Sequence, residues 1–130
     1  MDVWNAAGAR FEFVVDSRSP SSITCDELGE DGWIALTHLR PLGAESNIAQ
    51  VLISLNTQQP FTPPHPTTTS TIVSEPYDLY TVLLHEMGHA LHLGEDYGIP
   101  SDTVMRPTIS PGEVRGLAED DIRGIKLLYP

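Results

Sequence analysis

The sequence predicts an α/β (α+β) domain in which strands of the first half precede a central helix and a second helix closes the chain. Three observations predict it. Short apolar runs with strand-like alternation occupy the first half. The pattern changes to a helical period at Asp78, and that period returns in the last fifteen residues. Strands in one half and helices in the other are the order expected of an α+β layer architecture.

The elements follow in chain order. MDVWNAAG reads as a short helical piece with Gly8 as its stop. In RFEFVVD, Phe11, Phe13 and Val15 alternate with their neighbours, which predicts a half-buried strand, and SRSPSS is a turn. GWIALTHL (Gly32 to Leu39) and AQVLISLN (Ala49 to Asn56) read as the second and third strands, joined by RPLGAESN. Residues 57 to 76 form a Pro/Thr-rich loop, the one low-complexity stretch, with His65 read as an exposed loop residue rather than a ligand. No internal repeat is visible.

Asp78 is placed to cap a helix running through YTVLLHEMGHALHL. At about 100° per residue, Leu79, Tyr80, Leu83, Leu84, Met87, Ala90 and Leu91 share one arc, and His85, His89 and His92 gather on the other side. In the closing helix Leu117, Ile122, Ile125 and Leu128 form a stripe, and Glu119, Asp120 and Asp121 sit in the first turn, where the helix dipole favours acidic groups.

The bulk composition narrows the function classes. With 130 residues and 40% hydrophobic content, the chain is expected to fold as a single domain over residues 1–130, with an ordinary core. A net charge of −11 argues against nucleic acid or an anionic membrane as partner, because both repel it. No apolar run approaches the ~20 residues of a membrane span, and no basic segment followed by an apolar stretch marks a signal peptide. Location is therefore not legible in the residues. Cys25 is the single cysteine, which excludes an internal disulfide or a Cys-rich metal cage; a half-buried, unreactive role is expected. Asp26, Glu27, Glu30 and Asp31 around it could hold a structural Ca2+, without the regular spacing of a calcium loop.

HEMGHALHLGED, His85 to Asp96, carries the chemistry. Residues i and i+4 are neighbours on a helix, so His85 and His89 can reach one zinc ion at ~2.0–2.1 Å. Glu86, one step around, can take a proton from a water that the metal acidifies. His92 lies three residues beyond His89, ~4.5 Å further along an unbroken helix, so it is read as a rim residue and not a ligand. The third ligand then follows the helix end. Gly94 is the residue best suited to end the helix in a left-handed turn, and Glu95 or Asp96 supplies the carboxylate.

With these residues the sequence resembles the metzincin clan of zinc proteases and, within it, the matrixins, whose pattern is His-Glu-x-x-His-x-x-Gly-x-x-His followed by a methionine turn. His85, Glu86 and His89 match; His92 stands at the glycine position and Glu95 at the last histidine. SDTVMRPT places Met105 and Pro107 where matrixins have their Met-x-Pro turn, and LAEDDIRGIKLLYP is similar to the matrixin terminal helix, including Asp120 and Asp121. DVWNAAGARFEFV resembles the end of the family's first helix running into its second strand, and GWIALTHL its edge strand above the cleft. The family begins with a strand and a longer helix, so the chain reads as a fragment or a minimal variant with the first strand and most of the first helix missing.

The resemblance implies a metzincin-like fold with the active-site helix, a Met-turn and a C-terminal helix. It also implies a twisted mixed sheet packed on that helix, and a zinc-dependent endopeptidase with one catalytic Zn2+ held by His85, His89 and Glu95, with Asp96 as the alternative third ligand, and with Glu86 as general base. Met105 would support the metal from below. An extended peptide or protein substrate would add to the edge strand at Ile34, Ala35, Leu36, Thr37 and His38, although a solvent-facing role is expected for His38 itself. A monomer acting outside the cell follows from the same resemblance. A carboxylate ligand leaves the zinc less positive than three imidazoles do, which implies a weaker Lewis acid. The family's latency cysteine segment and structural-zinc histidines are absent from this chain. The competing expectation is a catalytically degenerate relative that binds a peptide or protein partner.

Overall fold

The computed structural model describes residues 1–41, 48–62, 75–98 and 102–130. Its elements run α1 (Asp2–Asn5), β1 (Ser22–Asp26), β2 (Ala35–Pro41), β3 (Ile48–Asn56), α2 (Leu79–Ala90) and α3 (Glu119–Leu128). The strands form one mixed sheet in the order β1-β3-β2, with β1 parallel and β2 antiparallel to the central β3. This is the α/β arrangement expected. No helix among the described residues is long and apolar enough to cross a membrane. His65 and most of the Pro/Thr loop, like the 42–47 connection, lie outside the described residues.

The first strand is not where alternation put it. Residues 11–16 form no strand ladder among the described residues. Their backbone is instead bracketed by Asn5, whose amide accepts from Phe13 N at 2.8 Å and donates to Phe13 O at 3.0 Å. Phe11 and Phe13 do turn inward, and Phe11 stacks against Tyr129 with centroids 5.5 Å apart, but Val15 is 85% exposed. The strand is β1, which starts at the end of the SRSPSS turn and runs through Cys25 to Asp26, a stretch read without a strand. All five of its residues are exposed, including Cys25, which therefore is not half-buried. The two other strands fall close to expectation, β2 starting at Ala35 rather than Gly32.

α2 begins as predicted. Asp78 Oδ1 accepts the Thr81 N–H at 2.7 Å, satisfying one of the orphan donors of the first turn. Its buried side carries Val82, Leu84, Met87 and Ala90, whereas Tyr80, placed on the apolar arc, is 55% exposed. Trp4 of α1 is fully buried against this helix and donates its indole N–H to Leu84 O at 3.0 Å. With Leu84, Met87, Val104, Met105 and Ile125 it forms the main core; a smaller cluster of Ala35, Leu55 and Val82 joins β2 and β3 to α2. In α3 the stripe holds at Ile125 and, half-buried, at Leu117 and Ile122, but Leu128 is exposed because the helix stops there.

The helix end also differs from expectation. α2 stops at Ala90, not Leu93, and the residue in the left-handed region is His92, φ 66°, rather than Gly94. His92 N donates to His89 O at 2.9 Å and Leu93 N to Gly88 O at 3.0 Å, the paired bonds of a Schellman turn. The bend thus comes two residues early, at the position where the sequence pattern has glycine, and His92 meets it with a β-carbon.

Candidate metal centre

Two helix residues and one loop residue converge under the edge strand. His85 and His89 project from α2 with ring centroids 4.6 Å apart, nearly perpendicular. The early turn at His92 brings Glu95 back toward them. Glu95 Oε1 lies 3.8 Å from His85 Nε2 and 3.5 Å from His89 Nε2.

The hydrogen bonds on the far side of each ring define what these atoms offer. His85 Nδ1 is 2.8 Å from Val104 O, and His89 Nδ1 is 2.9 Å from Leu93 O. A carbonyl oxygen only accepts, so each Nδ1 carries the proton and donates. In the neutral imidazole each Nε2 then presents a lone pair toward the Glu95 carboxylate, which is itself an acceptor. Three acceptors face one another with no donor between them. Glu95 Oε2 is buried as well and has no hydrogen-bond partner, a state that costs about 1–3 kcal/mol when nothing positive stands nearby.

Spacing and chemistry both suit a cation. Donors at ~2.0–2.1 Å from one tetrahedral ion stand about 3.3–3.4 Å apart, close to the measured 3.5 and 3.8 Å. A histidine whose Nδ1–H is tied to a backbone carbonyl is the usual form of a metal-bound imidazole. Among the described residues this is the one group of three or more such side chains whose ligand atoms converge, all within 4.8 Å of one another. Asp26, Glu27, Glu30 and Asp31 do not converge; Asp26 instead accepts from the Thr24 hydroxyl at 2.7 Å.

Asp96 is turned elsewhere. Its Oδ1 accepts from Gly98 N at 2.8 Å, its Oδ2 from the Thr103 hydroxyl at 2.9 Å, and its N–H donates to Met105 O at 2.8 Å. These bonds tie the segment after Glu95 to the Met105 turn. His92 is exposed and lines the cleft without joining the three-residue group.

Glu86 is buried beneath the edge strand, and its Oε2 receives the Thr37 hydroxyl at 2.5 Å. Met105 is buried directly against α2 at Gly88, where a β-carbon would overlap its sulfur and come within 3.2 Å of Trp4 Cζ2. α3 holds the same turn from the other side. Asp121, also buried, accepts from Val104 N at 2.9 Å and from Ala118 N at 2.8 Å. Sequence reasoning missed Gly88 and these roles of Asp121 and of Thr37, which it had placed only on the edge strand. A glycine inside a helix interior was the available signal for the first.

A cleft of about 720 Å³ runs over these groups. β2 forms one wall, with Trp33 at its rim, and Arg106, Pro107 and Thr108 form the other. Pro107 is exposed there. Arg115, also missed, is buried at the wall, where its guanidinium pairs with Glu113 at 2.7 Å and donates to Thr108 O at 2.6 Å. Of the edge-strand residues, Ile34 to Thr37 line the cleft, while His38 is exposed and does not.

Comparison with known proteins agrees with the geometry. The family model described as Matrixin matches residues 10–130. The chain is 47% identical over 53 residues to Metalloendoproteinase 5-MMP of Arabidopsis thaliana, covering 40% of this chain and 14% of that protein. It is 40% identical over 62 residues to Metalloendoproteinase 1 of Glycine max, 47% of this chain and 20% of that one. It is 45% identical over 53 residues to Matrix metalloproteinase-9 of Canis lupus familiaris, 41% of this chain and 7% of that one. The matched stretch is thus at most a fifth of the length of these relatives. Since the family match takes in the sheet, α2, the turn at Met105 and α3, the chain belongs to the matrixin family of metalloproteases.

Proposed function

We propose that this chain is a zinc-dependent endopeptidase domain, with His85, His89 and Glu95 as the metal ligands and Glu86 as the general base. The observation that carries the reading is the convergence of two Nε2 lone pairs and an unpartnered carboxylate, with both Nδ1 protons committed to backbone carbonyls. His85, His89 and Glu95 would hold the zinc, which when bound would supply a Lewis acid for the scissile carbonyl and lower the pKa of water.

The remaining work belongs to side chains and backbone. Glu86 takes the proton from the attacking water and returns it to the leaving amine. The Val104 and Leu93 carbonyls keep both rings in the tautomer that offers Nε2. An extended peptide pairs with the edge of β2 that carries no strand among the described residues, its other edge being taken by β3, so its backbone is held without a demand on side-chain identity. The cleft beside it receives one side chain between α2 and the Pro107 wall. Action on extended protein segments outside the cell, as a monomer, belongs to the same proposal.

The reading as a silent binding module has no observation in its favour, and a buried Glu86 held over the cleft argues against it. The test is cleavage of an unfolded protein by zinc-loaded wild type and by Glu86→Ala. The proposal expects a loss of at least about 100-fold in the variant at unchanged zinc content. Equal rates in the two proteins would refute it.

A further inference from the structure

Glu86 is held by a residue that the matrixin motif does not contain. Thr37 stands in the middle of β2, paired in register with Ile53 of the central strand, and so sits on a backbone fixed by the sheet. Its hydroxyl oxygen is 2.5 Å from Glu86 Oε2 and 3.1 Å from the Glu86 backbone carbonyl. A hydroxyl has one proton to give, and the shorter, charged acceptor takes it. Glu86 Oε1 has no protein hydrogen bond among the described residues, yet it is not a buried orphan atom, and Glu86 lines the cleft. One carboxylate oxygen is therefore fastened to the strand and the other is left for the cleft.

We propose that Thr37 is a positioning residue for the base: its hydroxyl pins Glu86 Oε2 so that Oε1 is presented to the water it deprotonates. This rests on the reading of Glu86 as the base. The pin is set in the same strand whose free edge is proposed to take the peptide. Thr37 faces inward to α2, where its hydroxyl meets Glu86, while neighbouring His38 faces solvent. A peptide that pairs with β2 therefore steadies the strand that steadies the base. Reach alone does not orient a glutamate, whose side chain has three rotatable bonds; a displacement of about 1 Å in a reacting group costs on the order of 100-fold in rate.

The test compares Thr37→Val, which keeps the shape and removes the hydroxyl, with Thr37→Ser, which keeps the hydroxyl. In the zinc-loaded protein the expected result is a fall of about 10- to 100-fold in kcat for Thr37→Val, with KM and zinc content within about two-fold of wild type. Thr37→Ser is expected to restore kcat to within about three-fold. Thr37→Val on a Glu86→Gln background is expected to cost nothing further, because the group it positions is gone.

A second measurement does not depend on activity. Side-chain 13C relaxation of Glu86 in the metal-free protein should report a rigid carboxyl group in wild type and Thr37→Ser, and a mobile one in Thr37→Val. A Glu86 equally rigid in Thr37→Val overturns the proposal, as does wild-type kcat in that variant. A Thr37→Ser protein as impaired as Thr37→Val overturns it too, because strand packing rather than the hydroxyl would then be at work. Wild type no more active than Glu86→Ala defeats the peptidase reading instead, and the relaxation result then decides the role of Thr37 alone.

Discussion

Replacing His92 by glycine should make this protein more stable without changing its affinity for zinc. His92 closes the Schellman turn at φ 66°, where an L-residue bearing a β-carbon pays about 1–2 kcal/mol relative to the right-handed region. Histidine tolerates that region better than most residues, so the low end of the range applies. The side chain is exposed and makes no hydrogen bond or ion pair among the described residues, so little packing is lost with it. Against the gain stands the extra freedom of glycine in the unfolded chain, about 0.4–1 kcal/mol. The balance is a stabilisation of about 0.3 kcal/mol, or roughly 1–2 °C in Tm for a domain of this size. His92→Ala, which keeps the β-carbon, should show no gain. Urea unfolding of the three proteins, with zinc titrated separately, tests this. A His92→Gly protein less stable than His92→Ala would refute the turn geometry, and a large loss of zinc affinity would refute the exclusion of His92 from the metal.

Other substitutions test the supports of the site. Gly88→Ala puts a β-carbon into Met105, and overpacking of about 1–3 kcal/mol should outweigh the helix preference of alanine, about 1 kcal/mol, giving a lower urea midpoint. Asp121→Ala strands the buried Val104 N–H and the part-buried Ala118 N–H and should cost about 3 kcal/mol, whereas Asp120→Ala, which loses an exposed pair with Arg123 and a first-turn charge, should cost less than about 1 kcal/mol. The Ser110 N–H and then the Arg115 guanidinium hold the Glu113 carboxyl below its ordinary value of 4.5, against a raising effect of burial. A depressed folded-state pKa contributes stability above the unfolded value and loses it as pH falls through the folded one. The stability gap between wild type and Glu113→Gln should therefore be widest above about pH 5 and shrink in acid; a constant gap down to about pH 3 contradicts this.

The parts of this fold that local chemistry determines were legible in the sequence. Asp78 caps α2 because a carboxylate one step before a helical period has an orphan N–H to accept. His85, Glu86 and His89 fall together because four residues make one turn. Where a distant partner decides, the residues alone were ambiguous. Alternation in RFEFVVD correctly sends Phe11 and Phe13 inward, but the same alternation serves an extended segment held by Asn5 as well as a strand. β1 has no apolar face to announce it, since every residue is exposed and its pairing with β3 is all that defines it. Glycine preference pointed to Gly94 for the left-handed turn. Leu93, half-buried against the core and bonded to Gly88 O, puts the turn at His92 instead. In the same way, no sequence pattern says that the Val104 and Leu93 carbonyls set the imidazole tautomers, or that Thr37 reaches Glu86 from 49 residues away.

In the proposed metal site Glu95, not its neighbour Asp96, joins the two histidines. Chelator competition measures it directly, as zinc affinity of wild type, Glu95→Ala and Asp96→Ala at neutral pH. The account predicts one zinc per chain in wild type and a loss on the order of 100-fold or more in Glu95→Ala, since a bound ligand is worth at least as much as the outer partners whose removal costs 10- to 100-fold. Asp96→Ala should stay within about ten-fold, because its carboxylate serves Gly98 and Thr103. Undiminished affinity in Glu95→Ala with a large loss in Asp96→Ala would contradict the account.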